Sequence, residues 1–185
     1  MKIDTTTGIL DGARQVQCPN FDDRPDETDF DLIVVHGISL PPGEFGGPWI
    51  DALFTNSLNP EQHPYFKQVY QLEVSSHLLI RRNGEIVQYV PFHKRAWHAG
   101  KSEFQFRPRC NDFSIGIELE GTDDIPYEDI QYQQLAKVIE ILCASYPKLD
   151  LSRIAGHSDI APGRKTDPGP VFDWQRLRQM LSESN

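Results

Sequence analysis

The chain has 185 residues, 27 acidic against 18 basic side chains, a net charge of −9 with histidine neutral, and 38% apolar composition. That length suits one domain that buries about 70% of its unfolded surface, which excludes a disordered chain. The negative balance excludes nucleic acid as the main partner, because phosphate binding needs a surplus of Lys and Arg on one face. Arg81-Arg82, His93-Lys94-Arg95 and Arg107 to Arg109 still leave room for a local anionic pocket.

Met1 to Thr7 lacks the apolar stretch of a leader, and the longest aliphatic runs, Leu32 to Val35 and Leu78 to Ile80, are too short to span a bilayer. Cys18, Cys110 and Cys143 are widely separated with no CxxC, so neither a disulfide framework nor a thiolate zinc site is expected. The expectation is a cytoplasmic protein without membrane association. Residues 1–30 are acidic and turn-rich and read as an N-terminal arm packed on a domain over 31–185. Asp31 to His36 is an apolar run punctuated by Gly37 and Pro41-Pro42-Gly43, a buried strand entering a long loop. Short helices are predicted over Trp49 to Phe54 and Tyr65 to Leu72. Val74 to Ile80 and Ile86 to Val90 flank Asn83-Gly84, a dipeptide suited to the positive φ of a hairpin turn.

Phe113 to Glu120 alternates strictly and predicts a half-buried strand with Glu118 and Glu120 on its polar face. From Tyr127 to Tyr146 the positions Leu135, Val138, Ile139 and Leu142 follow helical spacing, with acids in the first turn and Pro147 as the stop. Arg153 to His157 reads as a strand, Pro162 to Pro170 as a stiff loop and Phe172 to Ser182 as a terminal helix. Strands and helices in this order predict an α+β or α/β sheet with helical cover.

Two predicted strands end in histidine, His36 and His157, and the proline-restricted loop after the second presents Lys165 and Asp167. Two imidazoles and one carboxylate are the ligand set of a hydrolytic zinc ion that keeps a position open for water. No local signature such as HExxH supports it, and the plain alternative is two hydrogen-bonded strand-end histidines and a turn-capping Asp. His93 and His98 are rival ligands ranked lower, because Lys94 and Arg95 disfavour a further cation there. His63 reads as a surface-loop residue and His77 as a core or supporting histidine.

Glu118 and Glu120 emerge on one face about 7 Å apart, which also fits the acid and base of a glycosidase. Cys110 with His98 as base is a possible thiol nucleophile, although lone cysteines are more often buried and inert. Trp49, Trp97 and Phe45 sit in loops, either stacking on a sugar or anchoring the loop to the core.

Val34-Val35-His36, Leu40 to Gly47, Arg95-Ala96-Trp97-His98-Ala99-Gly100, Asn111 to Gly121 and Lys165 to Pro170 together resemble the zinc amidases related to peptidoglycan recognition proteins. The likeness runs along nearly the whole chain in unchanged order. It implies a single α+β domain, a mixed sheet flanked by helices. It implies one zinc ion on His36, His157 and Asp167, Glu118 as catalytic carboxylate and Lys165 at the oxyanion. The implied reaction is hydrolysis of the lactyl–L-Ala amide of 1,6-anhydro-muropeptides in peptidoglycan recycling, by a cytoplasmic monomer. Trp97, Arg109 and Gly37 are the implied substrate contacts. Gly37 stands where relatives often carry Asn, and Glu73 where an Arg is common, which bears on stem-peptide recognition. The rival within the same fold is a non-catalytic peptidoglycan-binding module, which would be expected to have lost a metal ligand; none is missing here.

Overall fold

Leu32-Ile33-Val34-Val35 is apolar at every position because the strand it forms is covered on both faces, and all four side chains are fully buried. In the computed structural model, which describes residues 1–183, this strand is second in a six-stranded sheet. The strands are β1 (Arg14–Gln15), β2 (Leu32–Ile38), β3 (Leu78–Ile80), β4 (Ile86–Gln88), β5 (Ser114–Glu120) and β6 (Ile154–Gly156). They lie in the order β6-β2-β5-β3-β4-β1. β5 runs parallel to both β2 and β3, and β6 parallel to β2; only β3 and β4 pair antiparallel. That antiparallel pair is the hairpin read from Asn83-Gly84, with Gly84 at φ +84° and Arg81 N donating to Glu85 O at 2.9 Å.

The helices are α1 (Trp49–Phe54), α2 (Phe66–Val69), α3 (Asp129–Ser145), α4 (His157–Ile160) and α5 (Trp174–Glu183). α3 starts at a capping box in which Gln131 reaches back to the Glu128 backbone, and it stops before Pro147. Its Leu135, Val138, Ile139 and Leu142 pack with Phe172 and Leu177 on the sheet face formed by Ile33, Val35, Ile115, Ile117 and Leu119. Period-two alternation sends Leu32 and Val34 to the opposite face, where they meet Ala99, Cys110, Phe113 and Ile160. Leu79 and Val87 meet α1 and α2 through Leu53, Phe54 and Phe66.

Three expectations change. β5 is buried at all seven positions, not half-buried, because parallel neighbours flank it and loops cover its polar face. β2 continues through Gly37 to Ile38, so His36 lies within the strand, register-paired with Glu118. His157 opens α4 with Gly156 as its N-cap, one residue beyond β6. Within residues 1–30, Ile3–Asp4 pairs with Ile9–Leu10, β1 joins the main sheet, and Phe21–Asp23 pairs with Lys94–Ala96.

Candidate active site

The register of β2 on β5 sets His36 beside Glu118, and the β6–α4 junction brings His157 to the same face. Asp167 arrives from the loop after α4, held where Ser158 N donates to Asp167 O at 3.0 Å. His36 Nδ1 and His157 Nδ1 are 3.0 Å apart, and Asp167 Oδ2 lies 3.0 Å from the second and 3.3 Å from the first. One ligand atom from each residue can be chosen so that all lie within 4.8 Å of one another. His157 Nε2 faces Ala99 O at 3.4 Å, an acceptor for a proton on Nε2 in the tautomer whose Nδ1 presents its lone pair to Asp167 and His36. Two imidazole nitrogens and a carboxylate oxygen converging in this way fit a cation such as zinc.

Glu118 completes the arrangement. The residue is 8% exposed, its Oε2 is buried with no hydrogen-bond partner, and its Oε1 stands 4.0 Å from His36 Nδ1. Burial, then the nearby charge of Asp167, pushes this carboxyl well above the ordinary value, with Lys165 pulling the other way. Burial lowers the His36 imidazole to about 4 against the opposing pull of Asp167. For Asp167 burial acts upward, but the adjoining His157 and His36 imidazoles overcome it and hold the carboxyl well below its ordinary range. The pocket thus carries one fixed anion and one orphaned carboxyl whose hold on a proton is strengthened.

The loop carrying Asp167 has a second tether that the sequence did not reveal. Tyr127 Oη donates to Pro168 O at 2.9 Å, and a Cβ on Gly37 would collide with that phenol. Gly37, expected at the substrate, makes room for Tyr127, and a larger residue there would not fit unless Tyr127 moved. Lys165 is exposed on the same loop, and its charge acts on both Glu118 and His36. Arg109, in the left-handed region at φ +63°, pairs with Asp112 at 3.1 Å. It lines a surface cleft of about 560 Å³ with Lys101, Gly163 and Arg164, next to the Lys165 loop. Trp97 is partly buried, its backbone N–H donating to Ser75 Oγ at 2.9 Å.

The rivals separate. Glu120 is tied by Gly46 N at 2.7 Å, Arg82 N at 3.1 Å and Arg81 at 3.4 Å. Cys110 is fully buried and burial pushes its thiol up, the reverse of an activated nucleophile. His98, ranked low on account of its cationic neighbours, lies 2.8 Å from His36. The neighbours do not reach the site: Lys94 pairs with Asp23, and Arg95 with Asp22 and Asp112. His93 packs against Gly8, away from the ligands, and His77 is a fully buried supporting residue that accepts from Gly116 N at 3.0 Å.

Comparison with known proteins agrees with this geometry. The family described as N-acetylmuramoyl-L-alanine amidase matches residues 26–170. The 1,6-anhydro-N-acetylmuramyl-L-alanine amidase AmpD of Escherichia coli (strain K12) is 62% identical over 176 residues, covering 95% of this chain and 96% of that protein. A crystal structure of a selenomethionine derivative of AmpD superposes with a TM-score of 0.94 at 61% identity, over 98% of this chain and 99% of that one. AmpDh3 from Pseudomonas aeruginosa, in complex with anhydromuramic pentapeptide, superposes with a TM-score of 0.60 at 28% identity, over 84% of this chain and 61% of that one.

Proposed function

The chain belongs to the N-acetylmuramoyl-L-alanine amidase family, and on that premise we propose that it hydrolyses the lactyl–L-Ala amide of 1,6-anhydro-muropeptides with one zinc ion on His36, His157 and Asp167. The observation that carries this reading is the orphaned Glu118 carboxyl beside a convergent His-His-Asp set. A zinc ion there supplies Lewis acidity and lowers the pKa of water toward about 7. Glu118, whose proton affinity burial has raised, accepts the proton of the attacking water and delivers it to the departing L-Ala nitrogen. Lys165 provides positive charge where the carbonyl oxygen becomes negative. Tyr127 and Gly37 keep the Asp167 loop in place while this happens.

The anhydro-sugar specificity is taken from the AmpD relatives, and the AmpDh3 complex supports an anhydromuramic peptide as the ligand class. The enzyme is proposed to act as a monomer in the cytoplasm; among the described residues no helix is long and apolar enough to cross a membrane. Arg109 and Trp97 are proposed to meet the peptide and sugar parts of the substrate. The glycosidase reading loses its second carboxyl, because Glu120 is held by two backbone N–H groups and Arg81.

Mass spectrometry of a purified anhydro-muropeptide after digestion tests the proposal. Release of the intact anhydro-sugar acid and a free peptide, abolished by chelator and restored by zinc, is the expected result. Cleavage between sugars, or turnover that persists in chelator with no metal in the protein, would refute it.

A further inference from the structure

His98 lies flat on β5 at the one position where the strand has no side chain: a Cβ on Gly116 would come within 2.5 Å of His98 Cγ. From this seat its Nε2 meets Ser114 Oγ at 3.1 Å and its Nδ1 meets His36 Nε2 at 2.8 Å. Ser114 Oγ is also 2.6 Å from Cys110 O. The directions of these bonds follow from one end. A carbonyl only accepts, so Ser114 gives its single proton to Cys110 O, and its oxygen must accept from His98 Nε2–H. The neutral His98 ring then has a bare Nδ1, which accepts His36 Nε2–H. Asp167 Oδ2, 3.3 Å from His36 Nδ1, is the competing acceptor, and the shorter 2.8 Å contact to His98 favours the ring's single proton on Nε2, leaving Nδ1 bare toward His157 and Asp167.

The geometry points to His98, set by Ser114 and seated by Gly116, as the positioning residue that locks His36 into the tautomer able to ligate metal through Nδ1. A ligating histidine needs its other N–H held by an acceptor, which fixes both ring orientation and tautomer. Here the acceptor is a second histidine whose own tautomer is dictated by a backbone carbonyl two links away. An acid in that place would share its charge with the site; His98 supplies an acceptor without one. The consequence for zinc rests on the proposed metal site, but the tautomer belongs to the metal-free protein.

The test uses the full chain. Nitrogen-15 correlation of the histidine rings in metal-free protein is expected to show His36 protonated at Nε2 and not at Nδ1. Competition titration with zinc is expected to show about 10- to 100-fold weaker binding for His98→Leu, with His36 in mixed tautomers. His98→Asn keeps an acceptor oxygen near the place of Nδ1 and is expected to restore affinity close to wild type. Nδ1 protonation of His36 in the wild type, wild-type zinc affinity in folded His98→Leu, or equal loss in Leu and Asn variants would overturn the assignment. Should His98→Leu not fold, Ser114→Ala replaces it: a shifted His98 and His36 tautomer population supports the relay, and an unchanged one overturns it. If the wild type binds no zinc, the proposed metal reading fails, and the His36 tautomer alone still decides the role of His98.

Discussion

Glu118 and Glu120 are the same residue two positions apart on one face of β5, both buried, and the structure treats them in opposite ways. Glu120 faces the hairpin turn and the loop after β2, where Gly46 N, Arg82 N and Arg81 surround its oxygens. Arg81 in turn reaches Asp51 and Gly47 O, so this end of the strand ties a loop to the sheet. Glu118 faces the His36, His157 and Asp167 cluster with one oxygen that nothing satisfies. A buried carboxylate with its bonds made is a structural clamp, whereas one with its bonds withheld is poised to take a proton. Partners, not residue type or strand position, separate the two.

The largest expected effect comes from dismantling the reactive end entirely. His36→Ala, His157→Ala and Asp167→Ala should each lose zinc and activity together, measured by metal analysis and turnover; full zinc occupancy in any one removes that residue from the ligand set. Lys165→Ala should keep zinc and KM but lose about 10²–10³ in kcat, as for the loss of one oxyanion donor. Wild-type turnover in that variant would make Lys165 a solvated loop residue.

At the clamped end the readout is stability. Glu120→Gln should cost about 2 kcal/mol in denaturant unfolding, because Arg81 loses a charged partner in a buried setting. Glu118→Gln should do the reverse in the metal-free protein. Its folded carboxyl holds a proton to higher pH than the unfolded one, so the folded state is penalised as pH rises above the ordinary value of 4.5. Removing that penalty should raise the melting temperature at pH 7, with the gain vanishing below pH 4.5. Equal melting at pH 7 would mean that Glu118 is not under strain.

Much of this is legible in the sequence. The alternation in Phe113 to Glu120, the Asn83-Gly84 turn and the spacing of Leu135 to Leu142 are local signals, and each element formed where its pattern lay. His36, His157 and Asp167 were nameable as a ligand set, but 121 residues separate the two histidines and only the sheet register closes that gap. The split between Glu118 and Glu120 was invisible, since it depends on Gly46 and Arg81 arriving from elsewhere. The cationic neighbours of His98 argue against it as a ligand in the sequence, yet the antiparallel register with Phe21–Asp23 pairs Lys94 with Asp23 and Arg95 with Asp22. Tyr127 carried no signal except the glycine at residue 37, which makes sense only once the phenol is seen above it.

The most direct test is to measure zinc content and muropeptide turnover for Glu118→Gln and Glu120→Gln side by side. The account predicts one zinc per chain in both, a loss of about 10²–10⁴ in kcat for Glu118→Gln, and turnover within a few-fold of wild type for Glu120→Gln. Equal losses at the two positions, or full turnover in Glu118→Gln with zinc bound, would contradict it.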